Sequence, residues 1–315
     1  MTSPHDDEYN FRFEGSGAAY FLIFLKHVFL TLITLGVYFP WAKSQRRAFI
    51  WRSLSFHGHS FRYTGTGLEL FKGYVLLVAA YATFILLPPL IGSFHERLGS
   101  LVRIAFVLGL FAAIPFVIYR SRAFLYNRTT WRGIRFGLLR DYKPFMLEFF
   151  VGLLLTIASL GLYRPIYSNR LHRITMNNTR FGSLEFRYEG DDREVWQFTV
   201  KAYALIILTL GIYYFWYRAE LERYRAAYTF VGEHGVLHSE VTGGQLLMLF
   251  VLNAVGLTLT LGLAFPWILM YSLGQLADRY SVRGVIDFDA IVQRAEEEGA
   301  FTEGAADALD LDFGF

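Results

Sequence analysis

Two lysines stand where charge is costly: Lys26 inside FLIFLKHVFL and Lys201 inside FTVKAYALII. An ionisable group in such a setting is a functional candidate by default, placed to meet an anionic group inside a helix bundle, and Glu148 is a carboxylate of similar surroundings. The competing explanation is that each lysine extends toward a lipid head group or pairs with an acid such as Glu148. His57 and His59, two positions apart on an extended run, would share one face as metal ligands, but no third ligand stands at a fitting spacing. Glu233, His234, His238 and Glu240 form a second polar cluster, interrupted by Gly235, which surface-loop polarity also explains. Asn253 and Gly256, inside an apolar run, suit interhelical hydrogen bonding and close packing. There is no phosphate-cradling P-loop, no G-x-S-x-G elbow and no H-E-x-x-H, so no catalytic residue, cofactor or bound metal is expected and the chain does not read as an enzyme.

The elements around these residues are dominated by apolar sequence. The chain has 315 residues, 54% hydrophobic, 18% aromatic and only 18% charged, which is too apolar for a soluble domain that covers itself with polar surface. Cysteine is absent, which excludes disulfides, thiolate catalysis and Cys-based zinc sites. A net charge of +3 argues against nucleic acid, and the basic residues flank apolar stretches, where anionic phospholipid head groups would attract them. Six stretches, near 18–41, 71–92, 101–119, 144–167, 195–217 and 244–271, reach the roughly 20 residues that cross a bilayer core of about 30 Å. These predict an all-α polytopic membrane protein of about six transmembrane helices, with internal repeats and short extramembrane strands. Asp6, Asp7 and Glu8 precede the first stretch, so it is expected to be a retained anchor and not a cleaved signal. The predicted organisation is a polar segment with a short strand over 1–17, a repeat-built membrane domain over 18–288, and a flexible acidic tail over 289–315.

The repeats are explicit. Phe11-Arg12-Phe13-Glu14-Gly15 recurs as Phe186-Arg187-Tyr188-Glu189-Gly190, and at the same offset Lys26 meets Lys201, Gly36 meets Gly211, and Trp41 meets Trp216. Thr34-Leu35-Gly36, Ser159-Leu160-Gly161, Thr209-Leu210-Gly211 and Thr260-Leu261-Gly262 each precede Pro40, Pro165, Phe215 or Pro266, with Trp41, Trp216 and Trp267 following in three of them. The glycine is expected to end a helix in the left-handed conformation and the proline to open the next one, with the aromatic residues in an interfacial belt. Ile166, Phe215 and Ala264 depart from the phrase. A basic amphipathic run follows each restart; Arg46, Arg47 and Arg52, with Arg122 and Arg128 in the next copy, are candidates for binding lipid at the interface. Each run ends in alternating sequence read as a strand: His59–Tyr63, Ile134–Phe136, Leu184–Tyr188 and Val285–Phe288. Strands this short must pair with one another, with Phe11–Phe13 or with another subunit.

The composite order F-R-F-x-G, apolar helix, T-L-G-V-Y-F-P-W, basic run and F-R-Y-x-G over residues 9 to about 290 resembles the YjgN-like family of bacterial inner-membrane proteins, a family of unknown function. The resemblance implies a multi-pass protein of the bacterial inner membrane and brings no active site. Arginines and lysines crowd the loops after the first and third stretches, which makes those loops cytoplasmic. If all six stretches cross, the loop 168–194 and the tail lie on the opposite side, although they carry the same run-and-strand unit. Either some units dip in and return, or two half-sheets face opposite compartments as in inverted-repeat transporters; simple crossing is the expectation adopted. The functional expectation is transport or handling of a small anionic or lipid-like solute, or alternatively a non-catalytic scaffold that binds anionic phospholipids and a protein partner or a second copy of itself.

Overall fold

In the computed structural model, which describes residues 8–139 and 141–291, each repeat becomes two helices followed by two short strands. The chain begins with β1 (Glu8–Phe13). The first unit is α1 (Gly17–Ile33), α2 (Phe39–Ser53), β2 (Leu54–Phe56) and β3 (His59–Tyr63). The second is α3 (Gly67–Gly92), α4 (Glu96–Asn127), β4 (Thr129–Trp131) and β5 (Ile134–Leu138). The third is α5 (Lys143–Ala158), α6 (Arg164–Asn177), β6 (Thr179–Phe181) and β7 (Leu184–Tyr188). The fourth is α7 (Asp192–Leu208), α8 (Tyr214–Ala227), β8 (Thr229–Val231) and β9 (Gly235–Ser239). The fifth is α9 (Gly243–Leu259), α10 (Phe265–Ala277) and β10 (Tyr280–Arg283).

The strands form one closed antiparallel barrel in the order β1-β10-β9-β8-β7-β6-β5-β4-β3-β2. β10 closes it by pairing Val282 with Tyr9 of β1, so the opposite ends of the described chain share a ladder. Because neighbours in the ladder are antiparallel, the connections alternate between rims: tight turns on one, helix pairs on the other. All five helix pairs therefore rise from the same end. This overturns the all-α, six-crossing expectation, since strands of three to six residues are too short to cross a bilayer and their hairpin turns all share one rim, so the units cannot lie on opposite faces of a membrane. Among the described residues, only α3 and α4 are long and apolar enough to cross one. The stretches 18–41, 144–167, 195–217 and 244–271 are not single rods; each is a helix of 16 or 17 residues, a reversal, and the start of the next helix. At 1.5 Å per residue such a helix is about 25 Å long, short of a bilayer core of about 30 Å.

The reversal has one chemistry, used four times. Gly36 N–H bonds Thr31 O and Leu35 N–H bonds Leu32 O, the paired bonds of a Schellman ending. Thr34 Oγ1 donates back to Leu30 O at 2.6 Å and accepts from Tyr38 N–H at 3.0 Å, joining the end of α1 to the start of α2. Ser159, Thr209 and Thr260 make the equivalent forward bond to Tyr163, Tyr213 and Ala264. Gly36, Gly161, Gly211 and Gly262 are left-handed, as the phrase requires, but so are Leu35, Leu160, Leu210 and Leu261, at φ of 49–52°. A leucine there costs roughly 1–2 kcal/mol. Each of these leucines is nonetheless more than 90% exposed at the tip of its helix pair.

Units dock through a glycine and a tryptophan. A Cβ on Gly67, Gly17 or Gly243 would lie 2.4–2.8 Å from the Cα and ring atoms of Trp41, Trp267 or Trp216 in the neighbouring unit of the ring, so a flat indole abuts bare backbone. Where the third unit has Ile166, the next helix begins on Asp192 and carries no glycine. The tryptophans are thus inter-unit contacts, a role the belt reading did not foresee. Gly67→Ala is expected to lower stability by about 1–3 kcal/mol through overpacking, read as the shift in unfolding midpoint in detergent. Gly109→Ala, whose Cβ would meet nothing within 4 Å, is the control and should shift little.

Two strand assignments change. His57 lies in the tight turn at φ 46°, so His57 and His59 do not share a strand face. Val285–Phe288 forms no strand: the ladder stops at Arg283, and Ile286 and Phe288 pack against the barrel interior. The acidic tail predicted from residue 289 lies, beyond residue 291, outside the described residues.

Candidate ligand cavity at the junction of barrel and helices

The phrase F-R-F or F-R-Y aims β1, β3 and β7. With alternating side chains, its first phenylalanine (Phe11, Phe61 or Phe186) points inward and the arginine that follows points outward. The registers set these inward residues directly opposite one another: Phe11 with Phe56, Phe61 with Trp131, Phe136 with Phe181, Phe186 with Val231, and Leu237 with Val282. Every strand contributes one residue to this belt. A barrel of about eight strands is just filled by its side chains, so a ten-stranded one needs these large rings and still keeps space. The space is a cavity of about 570 Å³, walled by the belt and floored by the inward faces of α4 and α6.

Its floor is where polarity enters. Arg122 and His172 occupy equivalent positions of α4 and α6 and both line the cavity. Arg122 donates to Thr175 Oγ1 at 3.2 Å and lies over the Phe145 ring. Behind them Arg225, only 6% exposed, donates to Ser168 Oγ at 2.8 Å. Among the described residues, His172 Nε2 and Arg225 Nε are buried atoms with no hydrogen-bond partner. Burial, reinforced by the charges of Arg225 and Arg122, holds the His172 imidazole well below its ordinary pKa, so it stays neutral. The corresponding position of α10 is Leu273, which does not reach this cavity and lines with Leu276 a separate apolar groove beside Phe13 and Ile50. An apolar chamber with Arg122 at its floor can hold a molecule that has an apolar body and an anionic end.

The residues singled out from sequence fall elsewhere, with one exception. Lys26 on α1 and Lys201 on α7 are exposed on their helices and are not brought together. Glu148 on α5 lies 3.8 Å from Arg170 and pairs with neither lysine. Arg170 and Arg173 in turn hold Asp192 at 2.8 and 2.9 Å, a network that ties α6 to the start of α7. Arg128 pairs with Glu69 at 2.7 Å, and the same carboxylate caps α3 by accepting from Thr66 N–H. Arg46 lines a groove between α1 and α2 with Lys43 and His27. Arg47 lies over the Tyr63 ring, and Arg52 is exposed. Asn253 donates to Ser272 Oγ across α9 and α10. His238 and Glu240 sit 3.8 Å apart, with Arg279 and Arg283 nearby on the barrel surface. No group of three or more His, Asp or Glu gathers as a metal site among the described residues. Only Arg122 reaches the cavity. His172 and Arg225 escaped notice because nothing local marks them; aligning the repeats seven and ten positions after Pro165 and Phe215 would have placed both on the inward helix face.

Fold and cavity define an internally repeated barrel protein whose helix pairs carry a large uncovered apolar exterior. The sequence matches, over residues 8–213 and 217–308, the family described as "Bacterial protein of unknown function (DUF898)", and the chain belongs to that family. It is similar to proteins named "Inner membrane protein YjgN". The identity is 32% over 137 residues, 44% of this chain and 33% of the relative, for Salmonella typhimurium. It is 30% over 155 residues, 48% of this chain and 36% of the relative, for Escherichia coli strain K12, and 28% over 169 residues for Escherichia coli O157:H7. The chain thus spans 33–39% of the length of these curated relatives. No solved structure matches it.

Proposed function

We propose that this chain is an inner-membrane protein that binds an anionic amphiphile, its acid group on Arg122 and His172 and its apolar part within the aromatic belt. The cavity carries the reading: about 570 Å³ of mostly apolar wall, with a cationic floor at which His172 Nε2 has no partner in the protein. The membrane placement is supported by the relatives' name, by α3 and α4, and by the apolar helix exteriors, on which Leu22, Leu32, Leu154, Ile207 and Leu259 are each more than 60% exposed. In this reading α3 and α4 cross and return while the four shorter pairs dip into one leaflet, their tip leucines in hydrocarbon. Fully exposed leucines in a strained conformation are unfavourable in water and suit that role. The exposed Arg12, Arg62 and Arg187, each beside an inward phenylalanine, girdle the barrel toward the helical rim and would face the anionic cytoplasmic leaflet. Lys26 and Lys201 extend along the outer faces toward the same head groups.

The test is lipid extraction from the purified protein followed by mass spectrometry. A charged hydrogen bond contributes about 1.5–3 kcal/mol, so Arg122→Met should reduce the co-purifying anionic amphiphile by about tenfold or more. Arg52→Met, on the exposed face of α2, should leave it unchanged. Equal recovery from both variants overturns the proposal. It would leave the scaffold reading, for which the arginine girdle is the supporting observation and loss of anionic-vesicle binding in an Arg12→Glu, Arg62→Glu, Arg187→Glu variant the measurement.

A further inference from the structure

The rim of tight turns is the mouth of the barrel away from the helices, and it is filled by the chain itself. Beyond Arg283 the backbone leaves the ladder at Gly284, whose φ of +123° favours glycine and whose added Cβ would lie 2.0 Å from His234 O. The following residues then turn inward. Ile286 and Phe288 line the cavity from this side, and Ile291 joins the same apolar cluster. The Phe288 ring sits 5.0 Å from Tyr9, 5.7 Å from Phe56 and 5.3 Å from Trp131, edge-on to each, and 5.6 Å from the imidazole of His57. Asp287 accepts from the Asp289 and Ala290 N–H groups, which shapes the turn, and Asp289 pairs with Arg132 on the opposite β4–β5 turn.

We propose that residues 284–291 are a plug: the barrel mouth is a docking site for a short apolar segment, taken up in cis by this stretch, and its withdrawal opens the aromatic cavity from that side. The segment has the makeup of a removable part. It is held by side chains and not by strand pairing; its inward residues are apolar and its outward ones, Val285 apart, are acidic or small; and its hinge is a glycine. The ring contacts dominate over the ion pair, because Asp289 is 82% exposed and its attraction to Arg132 is screened by solvent. A peptide of like pattern, with an aromatic residue flanked by acids, is the kind of partner that would compete for the mouth.

The absence of cysteine makes the test direct. Ile286→Cys faces the cavity and Val285→Cys, 65% exposed, is its neighbour and internal reference. With a membrane-impermeant maleimide, Ile286→Cys should label about tenfold more slowly than Val285→Cys, since it reacts only in the opened state. Adding Phe288→Ala should bring the two rates within about twofold. Arg132→Glu, which removes the ion pair and also the guanidinium over the Trp131 ring, should accelerate labelling of Ile286→Cys by a smaller factor, and the charge-swapped Arg132→Glu, Asp289→Arg pair should restore protection. Rapid labelling of Ile286→Cys in the otherwise natural chain overturns the plug, as does protection that survives both Phe288→Ala and Arg132→Glu. The readout needs no ligand, so it succeeds or fails separately from the amphiphile reading.

Discussion

Trp131→Ala is expected to destabilise the barrel by about 3–5 kcal/mol, the largest effect of any single substitution considered. Trp131 is 3% exposed at the centre of the belt, where its ring meets Phe56, Phe61, Phe181 and Phe288. Alanine would enlarge a cavity that is already open, and the remaining rings are fixed to a closed ladder and cannot collapse inward to refill it. The indole N–H also donates to Phe56 O at 3.2 Å and His59 O at 3.0 Å, so it pins the β2–β3 turn to β4. Its loss removes a donor from two carbonyls in a dry setting, which adds to the packing term. The measurement is chemical unfolding in detergent followed by limited proteolysis. Trp196→Ala, 37% exposed on α7 with one bond to Leu162 O, is the comparison. A Trp131→Ala shift no larger than that of Trp196→Ala would show that the belt does not hold the barrel together.

The second expected result is all-or-none. Single cysteines at Ser60, Arg135, Glu185 and Glu233 sit on the exposed surface of four successive strand hairpins. In sealed vesicles of one orientation, all four should react with an impermeant reagent from the same side and none from the other, because the four hairpin turns share one rim of a closed barrel whose strands, of three to six residues, are too short to cross a bilayer. Simple crossing by six spans requires Ser60 and Glu185 to react from opposite sides. Cysteines at the tip leucines Leu35, Leu160, Leu210 and Leu261 should resist the reagent from both sides if the short helix pairs end in hydrocarbon. Opposite-sided labelling of any two hairpin positions would exclude the barrel.

Much of the local structure was legible. Reversals at Gly36, Gly161, Gly211 and Gly262 follow from the need for a left-handed residue at a helix end, and β3, β5 and β7 follow from alternation, because both are decided within a few residues. The left-handed leucines were not legible, since a β-region or helical leucine is the default and only the surrounding bonds, such as Gly36 N–H to Thr31 O, impose the other conformation. The span count failed for a related reason. Hydropathy adds up apolar residues along the chain, and a 17-residue helix, a Thr-Leu-Gly reversal and a Pro-Trp restart are as apolar in sum as one crossing rod. The candidate site was the least legible part. Lys26 and Lys201 stand out in a line of sequence because their neighbours are apolar, whereas Arg122 and His172 stand among other polar residues and acquire their setting only from helices far away in sequence.

Taken alone, the order of residues settled the membership, the repeated phrases, the helix stops and the alternation that makes β3, β5 and β7, all properties of short-range sterics and of side-chain chemistry. Tertiary structure decided that the fifth strand pair is assembled from the two ends of the described chain, that all units stand on one side, and that the belt encloses a cavity. Closure depends on pairing Tyr9 with Val282, and no local rule reports on a ladder between residues so far apart. The same closure turns the inward phenylalanines, each an ordinary strand residue by itself, into a chamber.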